Sequence, residues 1–149
     1  MTLEENIAKD LIVAMKARDK ATLRALRAIK AEILLHNTSG SGVVLNQQGE
    51  IKILQKMVKQ RKDSLTIFEE QAREDLAVIE REEIEVISRF LPQQMGEEEL
   101  NAFISALVNE LGASGMQDMG RVMGEANKRL AGKAEGKMIA IFVKNMLTS

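Results

Sequence analysis

The 149-residue chain has no Cys, one His and four Phe as its only aromatic residues, and it balances 21 Lys/Arg against 22 Asp/Glu for a net charge of −1. The lack of Cys excludes disulfides, thiolate nucleophiles and Cys-ligated metal centres, and a single imidazole is too few for a His-rich metal site or a Ser-His-Asp triad elsewhere in the chain. No apolar run approaches the roughly 20 residues that span a bilayer, and MTLEENIAKD carries acids where a secretion signal needs a basic start, so a cytoplasmic protein without a membrane segment is expected.

Thr2 and Glu5 form a capping box, and Ile7, Leu11, Ile12 and Met15 recur at helical spacing, which places a first helix up to about Ala17. Asp19 caps a second helix carrying Leu23, Leu26, Ile29 and Ile33 and ending near His36. NTSGSGVV follows as the one linker-like stretch, polar and rich in Gly and Ser, and is expected to be a mobile loop. His36 beside it reads as a surface residue rather than a ligand.

From about Asn46 to Ala72 the positions Ile51, Leu54, Val58, Leu65 and Phe68 mark one long amphipathic helix. Arg61 lies in phase with that buried stripe, where a guanidinium needs an acidic partner. A fourth helix, about Glu74 to Phe90, places Leu76, Ile84, Ile87 and Leu91 on one face with Glu80 and Glu83 on the same side. Arg61 or Arg73 is therefore expected to pair with Glu80 or Glu83, the alternative being that all four are solvated. Two carboxylates three residues apart also suit acid/base or metal chemistry, but no His or Gly-lined pocket is near, and no catalysis is expected there.

Pro92, the only proline, ends the fourth helix because its ring blocks the preceding turn and its nitrogen donates no hydrogen bond. It divides the chain into an N-terminal helical domain, 1–92, and a C-terminal three-helix domain, 93–149. After it, EEEL loads three carboxylates into the first turn of a fifth helix, where the helix dipole favours them. Leu100, Phe103, Ile104, Leu107, Val108 and Leu111 form its buried face, and Gly112 stops it. Ser114 and Gln117 read as a second capping box, opening a sixth helix with Met119, Val122, Met123, Ala126 and Leu130 inward. A seventh, from about Ala134, carries Ile139, Phe142, Val143, Met146 and Leu147. No segment alternates as a strand does, so the fold class is all-α and multihelical, with about four helices before Pro92 and three after.

The segment DMGRVMGEANKRLAGKAEGK, residues 118–137, holds four glycines. A phosphate-binding loop needs four residues between its glycines and Ser or Thr after the Lys, and GKAEGKM has neither. A membrane helix dimer needs an apolar surround, and this one is charged. What remains is that Gly120 and Gly124, one turn apart, allow close packing of another helix or approach of a ligand backbone. Gly132 and Gly136 then close one helix and open the next. Arg121, Lys128, Arg129, Lys133, Lys137 and Lys144 surround them, and the first amides of the seventh helix add anion-binding donors. The uneven charge agrees: residues 1–62 hold 12 Lys/Arg and 6 Asp/Glu, residues 63–117 hold 3 and 13, and residues 118–149 hold 6 and 3. These fields are either paired internally or displayed on separate faces. With every Phe at an expected core position, contact with a nucleic acid would be to phosphate, sugar or shape rather than by base stacking.

KQRKDSL (59–65), AREDL (72–76) with Glu80 and Glu83 beyond it, FLPQQMGEEEL (90–100), and DMGRVMG followed by AGKAEGK (118–137), in that order, resemble the GatB/YqeY family, specifically its small free-standing YqeY-like members. The likeness runs over essentially the whole chain. It implies a multihelical protein related to the tail domain of the GatB subunit of glutamine-dependent tRNA amidotransferase, a tail that contacts tRNA while the catalysis resides elsewhere. The resemblance therefore implies a tRNA-binding or accessory module in translation, with tRNA or a protein of the tRNA amidation machinery as partner, no cofactor or metal, and no catalytic residues of its own. Arg121, Lys133, Gly136 and Lys137 fall on the matched motif; Lys128, Arg129 and Lys144 follow from charge alone. Glu135 departs from the family, which more often has Asp before the Gly. A protein-interaction module is the alternative, with Met116, Met119, Met123, Met138 and Met146 offering a soft groove to a partner helix.

Overall fold

The computed structural model describes residues 2–40 and 44–148, and all regular structure among them is helical, an all-α fold. Seven α-helices follow one another: α1 Leu3–Ala17, α2 Lys20–Asn37, α3 Gln47–Glu70, α4 Glu74–Ser88, α5 Glu97–Leu111, α6 Met119–Arg129 and α7 Gly136–Thr148, with a 3-10 turn at Met116–Asp118 before α6. The chain divides into two compact units, Met1–Leu91 and Pro92–Ser149. No helix among the described residues is long and apolar enough to cross a membrane. Part of the loop expected over NTSGSGVV, residues 41–43, lies outside the described residues.

In the first unit the helix starts are set by short polar side chains. The Thr2 hydroxyl accepts the Glu5 amide at 3.2 Å, Asp19 accepts the Thr22 amide at 3.1 Å and Asn46 accepts the Gly49 amide at 2.8 Å, each satisfying a donor the helix itself leaves open. The Glu50 carboxylate in the first turn of α3 accepts the Leu3 amide at 2.6 Å, fastening the start of α1 to α3. α3 packs along α4, and α2 lies against both α1 and α4. Ile7, Leu26, Ile29, Leu54 and Ile87 are the large side chains wholly removed from solvent at their centre. One expectation fails on α1: Ile12 and Met15 are 51% and 52% exposed, and Ala14 takes the inward position. Ile7 and Ala14 are seven residues apart and share a face with Leu3, whereas Ile12 lies roughly half a turn away from them.

The second unit has its own core of Leu100, Ile104, Leu107, Val122, Ala126, Leu130, Ile139, Val143 and Leu147. α6 and α7 form a helical hairpin packed against α5. Gly112 ends α5 at φ +64°, the left-handed conformation that costs Gly least. The capping box expected at Ser114 and Gln117 does not form: the Ser114 amide donates instead to the Asp118 carboxylate at 3.0 Å, the 3-10 turn intervenes and α6 begins at Met119.

Candidate nucleic-acid interface

The turn joining α6 to α7 is held by backbone bonds rather than by chance packing. Gly132 takes φ +78° and is buried, and its carbonyl accepts from the Gln94 side chain at 2.6 Å. The next carbonyl, that of Lys133, accepts the Met95 amide at 2.9 Å. The segment after Pro92 therefore clamps the backbone on which Lys133 is displayed, and the side chain of Lys133 stays exposed. Lys128 stands one turn before this bend and Lys137 in the first turn after it; Lys144 follows Lys137 by seven residues on the same exposed face of α7. None of these four lysines is ion-paired among the described residues.

The arginines of the same stretch behave differently. Arg129 makes paired hydrogen bonds of 2.8 and 3.0 Å to Glu110 and a third of 2.8 Å to Glu125, so it ties α6 to α5 and is not free to meet a ligand, contrary to the expectation from charge. Those bonds raise its pKa and hold Glu110 below the ordinary carboxylate range. Arg121 donates to Asp118 at 3.2 Å while remaining half-exposed. Asp118 is held below its ordinary value first by the Ser114 amide and then by Arg121. The planar fork of Arg suits a carboxylate pair, whereas the four lysines make no ion pair among the described residues.

Within the second unit, Gly120 and Gly124 pack against no helix among the described residues. A Cβ at either position would meet nothing within 4 Å, and both are exposed, sharing the outer face of α6 with Lys128 at four-residue steps. Gly136 is exposed with equally open surroundings at the start of α7. Of the five methionines singled out for a groove, Met119, Met123, Met138 and Met146 are half-buried against the core of the second unit, and Met116 is exposed.

Of the four charged residues singled out in the first unit, Arg61 and Glu83 meet, in a network completed by Arg24 and Glu82. Arg61 Nε donates to Glu83 Oε2 at 2.8 Å, and Arg24 Nε, on α2, donates to Glu83 Oε1 at 2.9 Å while its NH2 group reaches Glu82 at 2.9 Å. Glu83 is the buried carboxylate at the centre. Arg73 is not part of it: it pairs with Asp75 at the exposed start of α4. Glu80 faces the network without joining it. Its Oε2 is sealed from solvent with no hydrogen-bond partner among the described residues, and burial, then the nearby Glu83 charge, push its carboxyl up against the opposing pull of Arg61 and Arg24. Arg24 escaped the sequence reading because it sits off the stripe of Leu26, Ile29 and Ile33, and only its long side chain reaches α4. The acidic partners of Arg129 were legible only in part: Glu125 is its i−4 neighbour, but Glu110 is on another helix.

A family model described as Yqey-like protein matches residues 4–147. Among curated proteins the chain is similar to altered inheritance of mitochondria protein 41, mitochondrial, of Lachancea thermotolerans, with 33% identity over 108 residues that cover 71% of this chain and 58% of that protein. It is similar also to the proteins of that name in Pyrenophora tritici-repentis (28% over 128 residues, 84% of this chain and 69% of that protein) and Clavispora lusitaniae (31% over 132 residues, 87% and 76%). The chain thus spans 58% to 76% of the length of these relatives. The mitochondrial location in their names belongs to those fungal proteins. With the family match running almost from end to end, this chain belongs to the YqeY-like protein family.

Proposed function

We propose that the chain is a non-catalytic RNA-binding module, with tRNA as its ligand, and that the α6–α7 hairpin is the surface that meets the phosphate backbone. The observation that carries this reading is the sorting of charge on the hairpin: Arg121 and Arg129 are neutralised by Asp118, Glu110 and Glu125, whereas Lys128, Lys133, Lys137 and Lys144 are exposed without a carboxylate partner among the described residues. Unpaired ammonium groups on a clamped turn are suited to point-charge contacts with phosphate, which fix position without reading sequence. The open surface over Gly120 and Gly124, where any side chain would stand in the way, lets a sugar-phosphate strand lie close to the α6 backbone beside Lys128. Membership of the YqeY-like family, whose resemblance to the amidotransferase tail motivates tRNA in particular, supports the choice of ligand.

Filter binding with bulk tRNA over a salt series tests it. The wild-type chain should retain tRNA at about 50 mM salt, with a log–log slope of about −3 for four neutralised phosphates. Lys133→Glu combined with Lys137→Glu should abolish retention while the helical circular dichroism stays unchanged. No retention by the wild type at that salt, or retention that survives the double charge reversal, would overturn the reading.

A further inference from the structure

His36, the only histidine, is not the plain surface residue its sequence position implies. Its ring lines a cleft of about 330 Å³ between the last turns of α2 and the first half of α3, while its Nε2 is shut off from water and has no hydrogen-bond partner among the described residues. The sealed nitrogen does not itself open on the cleft, so what His36 contributes to the cleft is a stretch of its wall. The volume is at the lower end of the roughly 300–1,000 Å³ range of small-ligand pockets. Leu35, Ile53 and Met57 provide its apolar walls, and the Gln60 amide offers both a donor and an acceptor beside them.

The rim of the cleft is charged in a specific pattern. Lys56 lines it from α3, with exposed Lys52 and Lys59 one turn to either side and no carboxylate paired to any of the three among the described residues. Glu32, from α2, is the single acid in the lining. A flat heteroaromatic ring has apolar side chains here to lie against and the Gln60 amide to meet its edge, the two kinds of contact that pockets offer an unstacked base. A phosphate answers the lysines, and ribose hydroxyls are the donors that a carboxylate beside a phosphate site accepts.

From this arrangement we infer that the cleft between α2 and α3 binds a ribonucleotide, its base against Leu35, Ile53 and Met57, its ribose hydroxyls on Glu32 and its phosphate on Lys56. The inference rests on the RNA reading for the choice of ligand, but the cleft belongs to the first unit and none of its residues is on the α6–α7 hairpin. The ligand is either a free nucleotide or one unstacked residue of an RNA strand.

The lone imidazole gives a direct readout. Proton NMR of the full chain should show the single His36 ring resonance shifting saturably as a 5′-ribonucleoside monophosphate is added up to about 10 mM, a range that captures millimolar affinity. The 2′-deoxy counterparts should bind more weakly, Glu32→Gln should remove that preference, and Lys56→Glu should weaken binding about tenfold or more with helicity retained. A single-stranded oligoribonucleotide that saturates at concentrations about tenfold lower than the mononucleotide identifies an RNA strand as the source, and equal affinities identify the free nucleotide. The inference is overturned if no saturable shift occurs, if inorganic phosphate produces the same shift, or if Lys56→Glu leaves binding unchanged. Lys133→Glu with Lys137→Glu should leave the mononucleotide shift intact. Loss of the shift alone therefore removes the cleft, and loss of tRNA retention alone removes the hairpin.

Discussion

Glu80 and Glu83 are three residues apart on α4 and have opposite consequences for stability. Glu83 is buried and accepts from both Arg24 and Arg61, so removing its charge leaves two part-buried guanidiniums facing each other across a neutral group. Glu83→Gln should lower stability, by about 2–4 kcal/mol, a little under the range for breaking a fully buried pair because Arg24 is partly exposed. Glu80 contributes a third carboxylate to a group with only two guanidiniums, and its upward shift means that the fold favours its charged form less than the unfolded chain does. An acid raised in the folded state carries no penalty below its unfolded value, near 4.5, and a growing one as pH rises toward its folded value, constant above that. Glu80→Gln should therefore stabilise the protein at neutral pH, with the gain fading as pH falls through the acid range. Urea melts of the two variants between pH 4 and 7 check both signs; a destabilising Glu80→Gln at neutral pH would show that its carboxylate is a working member of the network. Arg61 was legible in sequence because it falls on the apolar phase of α3. The choice of Glu83 over Glu80, and the arrival of Arg24, depend on the rotation of three helices about their axes, and periodicity within one helix carries no information on that.

At the level of elements, the helices were legible because capping residues and apolar spacing agree: Thr2 and Asp19 each cap the helix that follows and Gly112 ends α5, while the start of α3 followed from spacing alone and its Asn46 cap is seen only in the structure. The sequence misled where spacing stood without a check, as with Ile12 and Met15, and where a capping pattern faced a competing acceptor, as when Asp118 takes the Ser114 amide. The link between α3 and α4 had no glycine signal at all. There Ala72 adopts φ +56°, its amide returning to Glu69 and the Arg73 amide to Phe68 at 2.8 Å, the pattern of a helix end normally completed by Gly. A left-handed Ala is strained by about 1–2 kcal/mol, part of which Gly gives back through the entropy of the unfolded chain. Ala72→Gly should therefore raise stability by about 0.5–1 kcal/mol, seen as a rise in Tm; a fall would mean that the helix end is held by contacts of the Ala methyl group.

On the scale of the whole molecule, everything that shapes the proposed RNA surface belongs to one unit. The residues that clamp the α6–α7 turn, Gln94 and Met95, the α5 carboxylate that removes Arg129 from play, Glu110, and the nine core residues under the hairpin all lie within Pro92–Ser149. The candidate nucleotide cleft belongs wholly to Met1–Leu91, so the two surfaces separate cleanly when the chain is cut at Pro92. A fragment of about 60 residues buries a smaller share of its surface than the full chain, so residues 92–149 alone should melt at a lower temperature, yet remain helical in the cold. In that folded range it should retain tRNA with the same salt slope as the intact protein, because the slope counts phosphates neutralised and all four lysines are present. A helical fragment that fails to retain tRNA would place the binding charge outside the hairpin. A slope markedly shallower than that of the full chain would mean that lysines of the first unit, Lys52, Lys56 and Lys59 among them, share the same strand.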